Sequence, residues 1–323
     1  MVQTERLSAD EPGLARAAAI LLGGGLVAFP TETVYGLGAD ATYAEAVTGI
    51  YGAKDRPRFN PLISHVADIE LALSQGLFED AALALARAFW PGPLTLVVPT
   101  APGCTICDLA RAGLDSVGLR VPSHPLARRL LAEVGRPIAA PSANRSGRVS
   151  PTDADHVLGD LDGRIDAVLE GGATEVGIES TIVACLDGTV RLLRPGGVPR
   201  EAIAAVIGRA LDDPRPEPGA PIAPGMLASH YAPRARVRLN AADVRPREAA
   251  LLFGAPYPVD LNNAVVAFDL SESGDLREAA ARLFSGLRAL DASHVETIAV
   301  SPIPQEGLGD AINDRLRRAA ADR

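Results

Sequence analysis

The chain has 323 residues, of which 47% are hydrophobic and 22% charged, and its net charge at neutral pH is -9. That composition belongs to a soluble globular protein long enough for two domains. No apolar run approaches the ~20 residues of a membrane helix, so a membrane-spanning helix is not expected. The N-terminal "MVQTERLSADEP" lacks a signal-peptide core, so a cytoplasmic protein is expected. Three cysteines make a poor disulfide framework. Cys104 and Cys107 form a C-x-x-C, but no second pair follows and His124 lies outside zinc-finger spacing, so they read as loop thiols. A pI near 5.1 argues against a broad nucleic-acid-binding face while leaving room for a local basic pocket.

In chain order, "GLARAAAILLGGG" reads as a helix stopped by glycines, and "LVAF" as the strand after it. "AEAVTGIYGAK" has helical spacing and "PLISHV" suits a short strand. "FEDAALALARAFW" is a helix that the prolines of "PGP" must end, because proline removes a donor and clashes with the preceding turn. "LTLVV", "SVGLRV", "PIAA", "AVLE", "STIVAC" and "VRLL" follow as strands, with "HPLARRLLAEVG" and "DADHVLGDL" as helices among them. This is an α/β domain with a mixed sheet. "LDDPRPEPGAPIAP", from Leu211 to Pro224, is too rich in proline for regular structure and marks a domain boundary. Beyond it "ARVRLN", "AALLFG", "AVVAFDL" and "TIAVSPI" read as strands, with "LREAAARLFSGLRAL" and "GLGDAINDRLRRAAA" as helices of a smaller α/β domain.

Several chemistries are excluded: there is no G-x-x-x-x-G-K-[ST] phosphate loop, no H-E-x-x-H and no G-x-S-x-G. "GLGADA" matches a loose dinucleotide pattern, but "PTETVY" separates it from its strand, so the tight strand-to-glycine turn is missing. What remains is a set of polar residues at predicted strand ends, where α/β proteins commonly bind ligands. "KDRPRFNPLISH" concentrates Lys54, Arg56 and Arg58 in an acidic chain. Each piece has a plainer explanation. Arg120 on a strand could be a surface ion pair, "PSANRSG" could cap a helix starting near Thr152 or Asp153, His65 could be structural, and the cations could protect a sheet edge.

Taken together, "PTETVYGLG", "K-x-R-P…NPLI", "WPGPLT", "VGLRVP", "PIAAPSANRSG…SPT", "GIESTIV" and "LRPG" resemble, in order, the motifs of the YrdC/Sua5 family. "PGMLASHYAP", Pro224 to Pro233, resembles the linker of its longer, Sua5-type members, and "AINDRLRRAA" the close of their C-terminal domain. The chain departs from the pattern after "STIV", where the family often carries an aspartate and this sequence has Ala184 and Cys185. The resemblance implies a YrdC-like domain with a twisted mixed sheet over residues 1–210. It further implies a Pro-rich linker over 211–234 that closes over the active site, and a smaller Rossmann-like α/β Sua5 C-terminal domain over 235–323.

Sua5-type members are L-threonylcarbamoyladenylate synthases, nucleotidyltransferases that make threonylcarbamoyl-AMP and pyrophosphate from L-threonine, bicarbonate or CO2, and ATP. The product is passed to the tRNA threonylcarbamoyl transferase machinery for modification of adenosine 37. By resemblance Lys54 and Arg56 are the catalytic cations and bind ATP phosphates, joined on the ATP side by Asn60, Asn144, Ser150, Arg194 and Tyr231, the last as a lid from the linker. Arg58 is left as a solvent-facing charge. Thr33, His65, Arg120, Ser142 and Ser180 are assigned to L-threonine, with the Arg120 fork suited to its carboxylate.

The mechanism this suggests begins with a neutral threonine amine adding CO2 to give a carbamate. A carbamate oxygen then attacks the α-phosphorus as pyrophosphate departs, so catalysis is positioning plus electrostatics. Mg2+ is expected, held mainly by phosphates and water. His65 is a candidate proton acceptor by chemistry alone. The competing readings are an RNA-binding YrdC-like module without synthase activity, which the acidic charge disfavours, and a carbamoyl-transfer domain, which would bring acylphosphatase and zinc-finger segments that this sequence lacks. Stable nucleic-acid binding and membrane association are not expected.

Overall fold

The computed structural model describes residues 3–56, 60–212 and 231–321. Arg58 and most of the expected linker, residues 213–230, lie outside the described residues. The first domain carries strands β1 (Glu5–Leu7), β2 (Val27–Phe29), β3 (Gly36–Asp40), β4 (Ile63–His65), β5 (Leu94–Pro99), β6 (Ser116–Arg120), β7 (Ile138–Ala139), β8 (Ala167–Leu169), β9 (Thr181–Leu186) and β10 (Thr189–Arg194). Its helices are α1 (Glu11–Leu22), α2 (Ala44–Lys54), α3 (Ile69–Gln75), α4 (Asp80–Phe89), α5 (Asp108–Arg111), α6 (Pro125–Val134), α7 (Ala154–Leu161) and α8 (Arg200–Ile207). The second holds β11 (Arg236–Arg238), β12 (Ala249–Leu252), β13 (Ala267–Asp269) and β14 (Thr297–Val300) with α9 (Leu276–Asp291) and α10 (Leu308–Ala320).

Local chemistry sets the helix boundaries. Asp10 accepts a hydrogen bond from the Gly13 amide at the start of α1, and Asp153 accepts one from the His156 amide at the start of α7. Each supplies an acceptor to an otherwise unsatisfied first-turn donor. The helix expected to start near Thr152 or Asp153 is capped by Asp153 itself and not by the "PSANRSG" loop. Helix α6 opens on Pro125 and stops at Gly135 in the left-handed conformation, with proline and glycine at the ends that suit them.

Ten strands form one mixed sheet in the order β1-β8-β2-β3-β7-β4-β6-β5-β9-β10. Strand alternation divides the core between its faces. Val27 and Phe29 pack with α1 and α6, whereas Ala28 between them joins the core beneath α2, α4 and α7. The second sheet, β11-β14-β12-β13, is wholly parallel. Its amphipathic α9 buries Leu283, Phe284 and Leu287, and this core also takes in Val34, Val149 and Ile178 of the first domain.

The two domains therefore share apolar surface. Arg288 of α9 donates to the carbonyls of Val149 and Ser150 and lies 2.8 Å from Asp160. Gly177, at φ 68°, allows a closer approach, since a Cβ there would come within 2.4 Å of the Ala281 backbone. Among the described residues no helix is long and apolar enough to cross a membrane. Strands β1 and β3 and helices α3, α5 and α8 were not anticipated from the sequence; "GLGADA", set aside as a dinucleotide turn, lies mostly on β3.

Candidate functional site

Parallel pairing of β4 with β6 sets His65 directly beside Arg120 at their C-terminal ends. Gly36, opening β3, bridges to Ser142, and Ser180 immediately precedes β9. Arg194 closes β10. These strand ends surround a pocket of about 540 Å³, counting its open mouth, and Tyr231 completes the wall from the far side of the linker. Eight of the twelve sequence-assigned residues line it: Thr33, Arg56, His65, Arg120, Ser142, Ser180, Arg194 and Tyr231.

Arg120 is buried and held on three sides. Its Nη2 lies 2.7 Å from Glu32 Oε1, Nη1 donates to Thr33 Oγ1 at 3.0 Å, and Nε donates to the Gly92 carbonyl. Burial would raise the Glu32 pKa, but the Arg120 charge and its hydrogen bond outweigh that effect and bring it below the ordinary value. Arg194 donates through Nε and Nη2 to the Ser180 carbonyl at 3.1 and 2.8 Å, and Ser180 Oγ lies 2.7 Å from Thr95 Oγ1. This arrangement requires Gly196 in "RPGG", because a Cβ there would stand 2.4 Å from the Glu179–Thr181 backbone.

His65 is 2% exposed, with its pKa driven down to about 3, mainly by burial and further by the Arg120 charge. It is therefore neutral at physiological pH and a weak proton acceptor, which counts against the base role considered for it. Arg56 spans to the carbonyls of Asn60 and Pro61 at 3.5 and 3.3 Å; burial lowers its pKa to about 10, so it stays charged.

Lys54, Asn60, Asn144 and Ser150 lie behind the pocket wall rather than among its lining residues. Lys54 Nζ donates to the Ser142 carbonyl at 2.6 Å and to that of Asn144. Burial, reinforced by the Arg56 charge, takes the Lys54 pKa well below its ordinary value. Asn144 in turn donates to the carbonyls of Arg145 and Arg148. In this conformation Lys54 and Asn144 organise the "PSANRSG" loop and do not face the cavity.

Sequence reasoning missed the carboxylates. Besides Glu32, Glu179 lines the pocket and receives Ser150 Oγ at 2.6 Å and Arg315 Nε at 2.7 Å, the latter from α10 of the second domain. Burial opposes ionisation of Glu179, but Arg315 and Arg194 prevail and hold its pKa down at about 2. The Arg315 guanidinium lies 5.1 Å from the centre of the Tyr231 ring, which stacks on Phe284 with centroids 5.5 Å apart. The "E" of "GIEST" and the arginine of "NDRLRR" were visible, but nothing in either segment signals that they meet.

Among the described residues, Arg56 Nε, Asn60 Oδ1, both His65 nitrogens and Asn144 Oδ1 are buried without a hydrogen-bond partner. Such groups are uncommon in folded proteins; these five atoms lie in or immediately behind this pocket, whereas others, such as Asp269 Oδ2 and Ser301 Oγ, lie in the second domain away from it. Three lining guanidinium groups face two neighbouring carboxylates that are already paired, so the site retains positive charge. No group of three or more metal-ligating side chains occurs among the described residues. The cysteines are free, Cys185 buried and the other two partly so.

A positively charged, polar-lined pocket at the strand ends of a two-domain α/β protein is the class of site that binds small anionic ligands. Residues 19–196 match the family described as "Telomere recombination" (Sua5_yciO_yrdC), and residues 198–321 match the "Threonylcarbamoyl-AMP synthase, C-terminal domain". The chain is 43% identical to threonylcarbamoyl-AMP synthase of Bacillus subtilis, covering 99% of this chain and 96% of that one. It is 41% identical to the Pyrococcus abyssi threonylcarbamoyl-AMP synthase, over 95% and 94% of the two chains. The crystal structure of P. abyssi Sua5 complexed with L-threonine superposes with a TM-score of 0.87 at 37% identity, covering 99% of this chain and 97% of that one. The chain belongs to the Sua5 family, with both its YrdC-like and its C-terminal domain.

Proposed function

We propose that this protein is a threonylcarbamoyl-AMP synthase, a nucleotidyltransferase that joins L-threonine, bicarbonate or CO2, and ATP with release of pyrophosphate. The observation that carries the reading is the convergence of Arg56, Arg120 and Arg194 on one pocket with buried polar atoms left unmatched. A triphosphate and an amino-acid carboxylate would accept from these guanidinium groups, including the unmatched Arg56 Nε, and from a His65 N–H, each charge-assisted contact contributing roughly 1.5–3 kcal/mol.

Arg120 and Thr33 would take the threonine carboxylate and neighbouring polar groups, with His65, Ser142 and Ser180 around them. Arg56 and Arg194 would take phosphates, and Tyr231 would shield the hydrolysable mixed anhydride from water. Lys54, in its observed place, would contribute by fixing the Ser142–Asn144 carbonyls, with Asn60, Asn144 and Ser150 supporting the nucleotide side from behind. A carbamate oxygen would attack the α-phosphorus, and no covalent enzyme intermediate is needed. Mg2+, ligated chiefly by phosphate and water, would neutralise charge on the triphosphate. Glu179, the carboxylate among the described lining residues, is already engaged by Ser150 and Arg315. The product would be consumed by a tRNA threonylcarbamoyl transferase in the cytoplasm.

The test is pyrophosphate release with ATP and Mg2+, omitting threonine and bicarbonate in turn and substituting serine for threonine. Release that needs both and prefers threonine supports the synthase. Release indifferent to threonine, or none from folded protein, rejects it in favour of the RNA-binding or carbamoyl-transfer readings.

A further inference from the structure

We propose that Arg315, on the last helix of the second domain, is a positioning residue for the nucleotide side of the pocket: by holding the Glu179 carboxylate it keeps Arg194 available to an anionic ligand. The inference rests on the synthase reading in taking that ligand to be ATP.

Glu179 and Arg194 both line the pocket, and each bears electrostatically on the other. No ion pair joins them among the described residues, because Glu179 is committed elsewhere. Its Oε1 accepts from Ser150 and its Oε2 from Arg315, which is fully buried and also 2.6 Å from Asp314. Arg194 is thereby left leaning on the Ser180 carbonyl through two of its three nitrogens, contacts with a neutral acceptor that compete weakly with phosphate.

Without the Arg315 charge, Glu179 would be a buried carboxylate whose remaining cationic neighbour is Arg194. A buried charge takes the partner within reach. The pocket would then offer ATP one guanidinium fewer and an unbalanced negative charge. The arrangement gives the second domain an electrostatic part in nucleotide binding, separate from the Tyr231 ring that Arg315 also touches.

The alternative is that Arg315 only fastens the two domains together, and Glu179 separates the cases. In Arg315→Gln, the KM for ATP should rise at least about tenfold, one decade corresponding to 1.4 kcal/mol, while the KM for threonine stays within about threefold. Adding Glu179→Gln removes the competing carboxylate and should bring ATP use back to within about threefold of wild type, a coupling that a double-mutant cycle reads directly. A double variant as impaired as Arg315→Gln, or equal losses for threonine and ATP, would overturn the proposal. Should Arg315→Gln fail to fold, Arg315→Lys retains the charge and should keep ATP use close to wild type; a folded Arg315→Lys that has lost ATP use overturns the proposal equally. Calorimetric ATP binding by the full-length variants gives the same comparison without turnover. A folded wild-type chain that binds no ATP would refute the synthase reading, and this inference with it.

Discussion

Replacing Arg120 by alanine should separate two duties of one side chain. The first is structural: Glu32 and Arg120 are both buried and 2.7 Å apart. Stranding a buried charge costs about 3–5 kcal/mol. At roughly 2–4 °C per kcal/mol for a domain of this size, the melting temperature should fall by about 6–20 °C. The second duty is recognition. Glu32, Thr33 and Gly92 already occupy much of the guanidinium, so the net loss on the ligand side is that of about one charge-assisted hydrogen bond. That is roughly 1.5–3 kcal/mol, or about 10- to 150-fold in the KM for threonine. The assay is pyrophosphate release against threonine concentration, alongside thermal melts, for Arg120→Ala and for Arg120→Ala with Glu32→Gln. The second change removes the stranded charge, so it should recover much of the stability and none of the threonine affinity. An unchanged threonine KM in folded Arg120→Ala, or its recovery on adding Glu32→Gln, would leave Arg120 as fold support and remove it from substrate recognition.

Three further outcomes are expected. Lys54→Met should raise the KM for threonine and ATP together, because it releases the Ser142–Asn144 carbonyls that shape the wall between them; a loss confined to ATP would instead place the Lys54 ammonium on the phosphates. Tyr231→Phe should keep stability within about 1 kcal/mol, since the stack on Phe284 is preserved, whereas Tyr231→Ala should cost about 3–5 kcal/mol and raise the KM for ATP. Equal ATP use by both folded variants would sink the lid. In acid, stability should decline in two overlapping windows. His65, with its folded pKa lowered to about 3, is protonated first in the unfolded chain, so stability drops as pH falls below the unperturbed 6.5 and stops declining on this account below about 3. Glu179, lowered to about 2, contributes stability that is present above 4.5 and lost as pH falls towards about 2. Urea titrations between pH 7 and 2 would show both declines, and His65→Gln should flatten the first; a slope unchanged by that substitution between pH 6.5 and 4.5 would contradict the neutral, buried assignment.

Most strands and helices were legible because such a segment carries its own period and its own stop, as in α1 between Asp10 and Gly23 or α6 between Pro125 and Gly135, whereas short elements such as β1, β3 and α5 do not. Site residues at strand ends were legible for a related reason: Arg120 and His65 each follow an apolar run, and the sheet brings such ends together. What the sequence hid are the pairings across long separations. Glu32 with Arg120 and Glu179 with Arg315 depend on tertiary approach, and a carboxylate in "TETVY" or "GIEST" looks no different from a solvated one. Lys54 illustrates the converse, a cation in the right motif whose ammonium the fold directs to two carbonyls instead of into the cavity.

The hidden carboxylates also explain how so many guanidinium groups can be kept close together without a polyanion between them. Arg56, Arg120 and Arg194 in one low-dielectric pocket, with Lys54 behind it, would repel one another and lose hydration, costs that grow as the dielectric falls. Glu32 offsets part of this from within the first domain, and Glu179 offsets another part, but Glu179 stands beside the very arginine assigned to phosphate. A carboxylate in that place helps the folded chain and hinders its anionic ligand unless something else takes up its charge. Arg315 does so from the other domain, together with the cover over the ring of Tyr231. The second domain thus packs Phe284 and Arg315 against the linker's Tyr231 and supplies the counter-charge that keeps the opposite wall positive, which is why substitutions on α10, outside the pocket lining, are expected to register in the affinity for nucleotide.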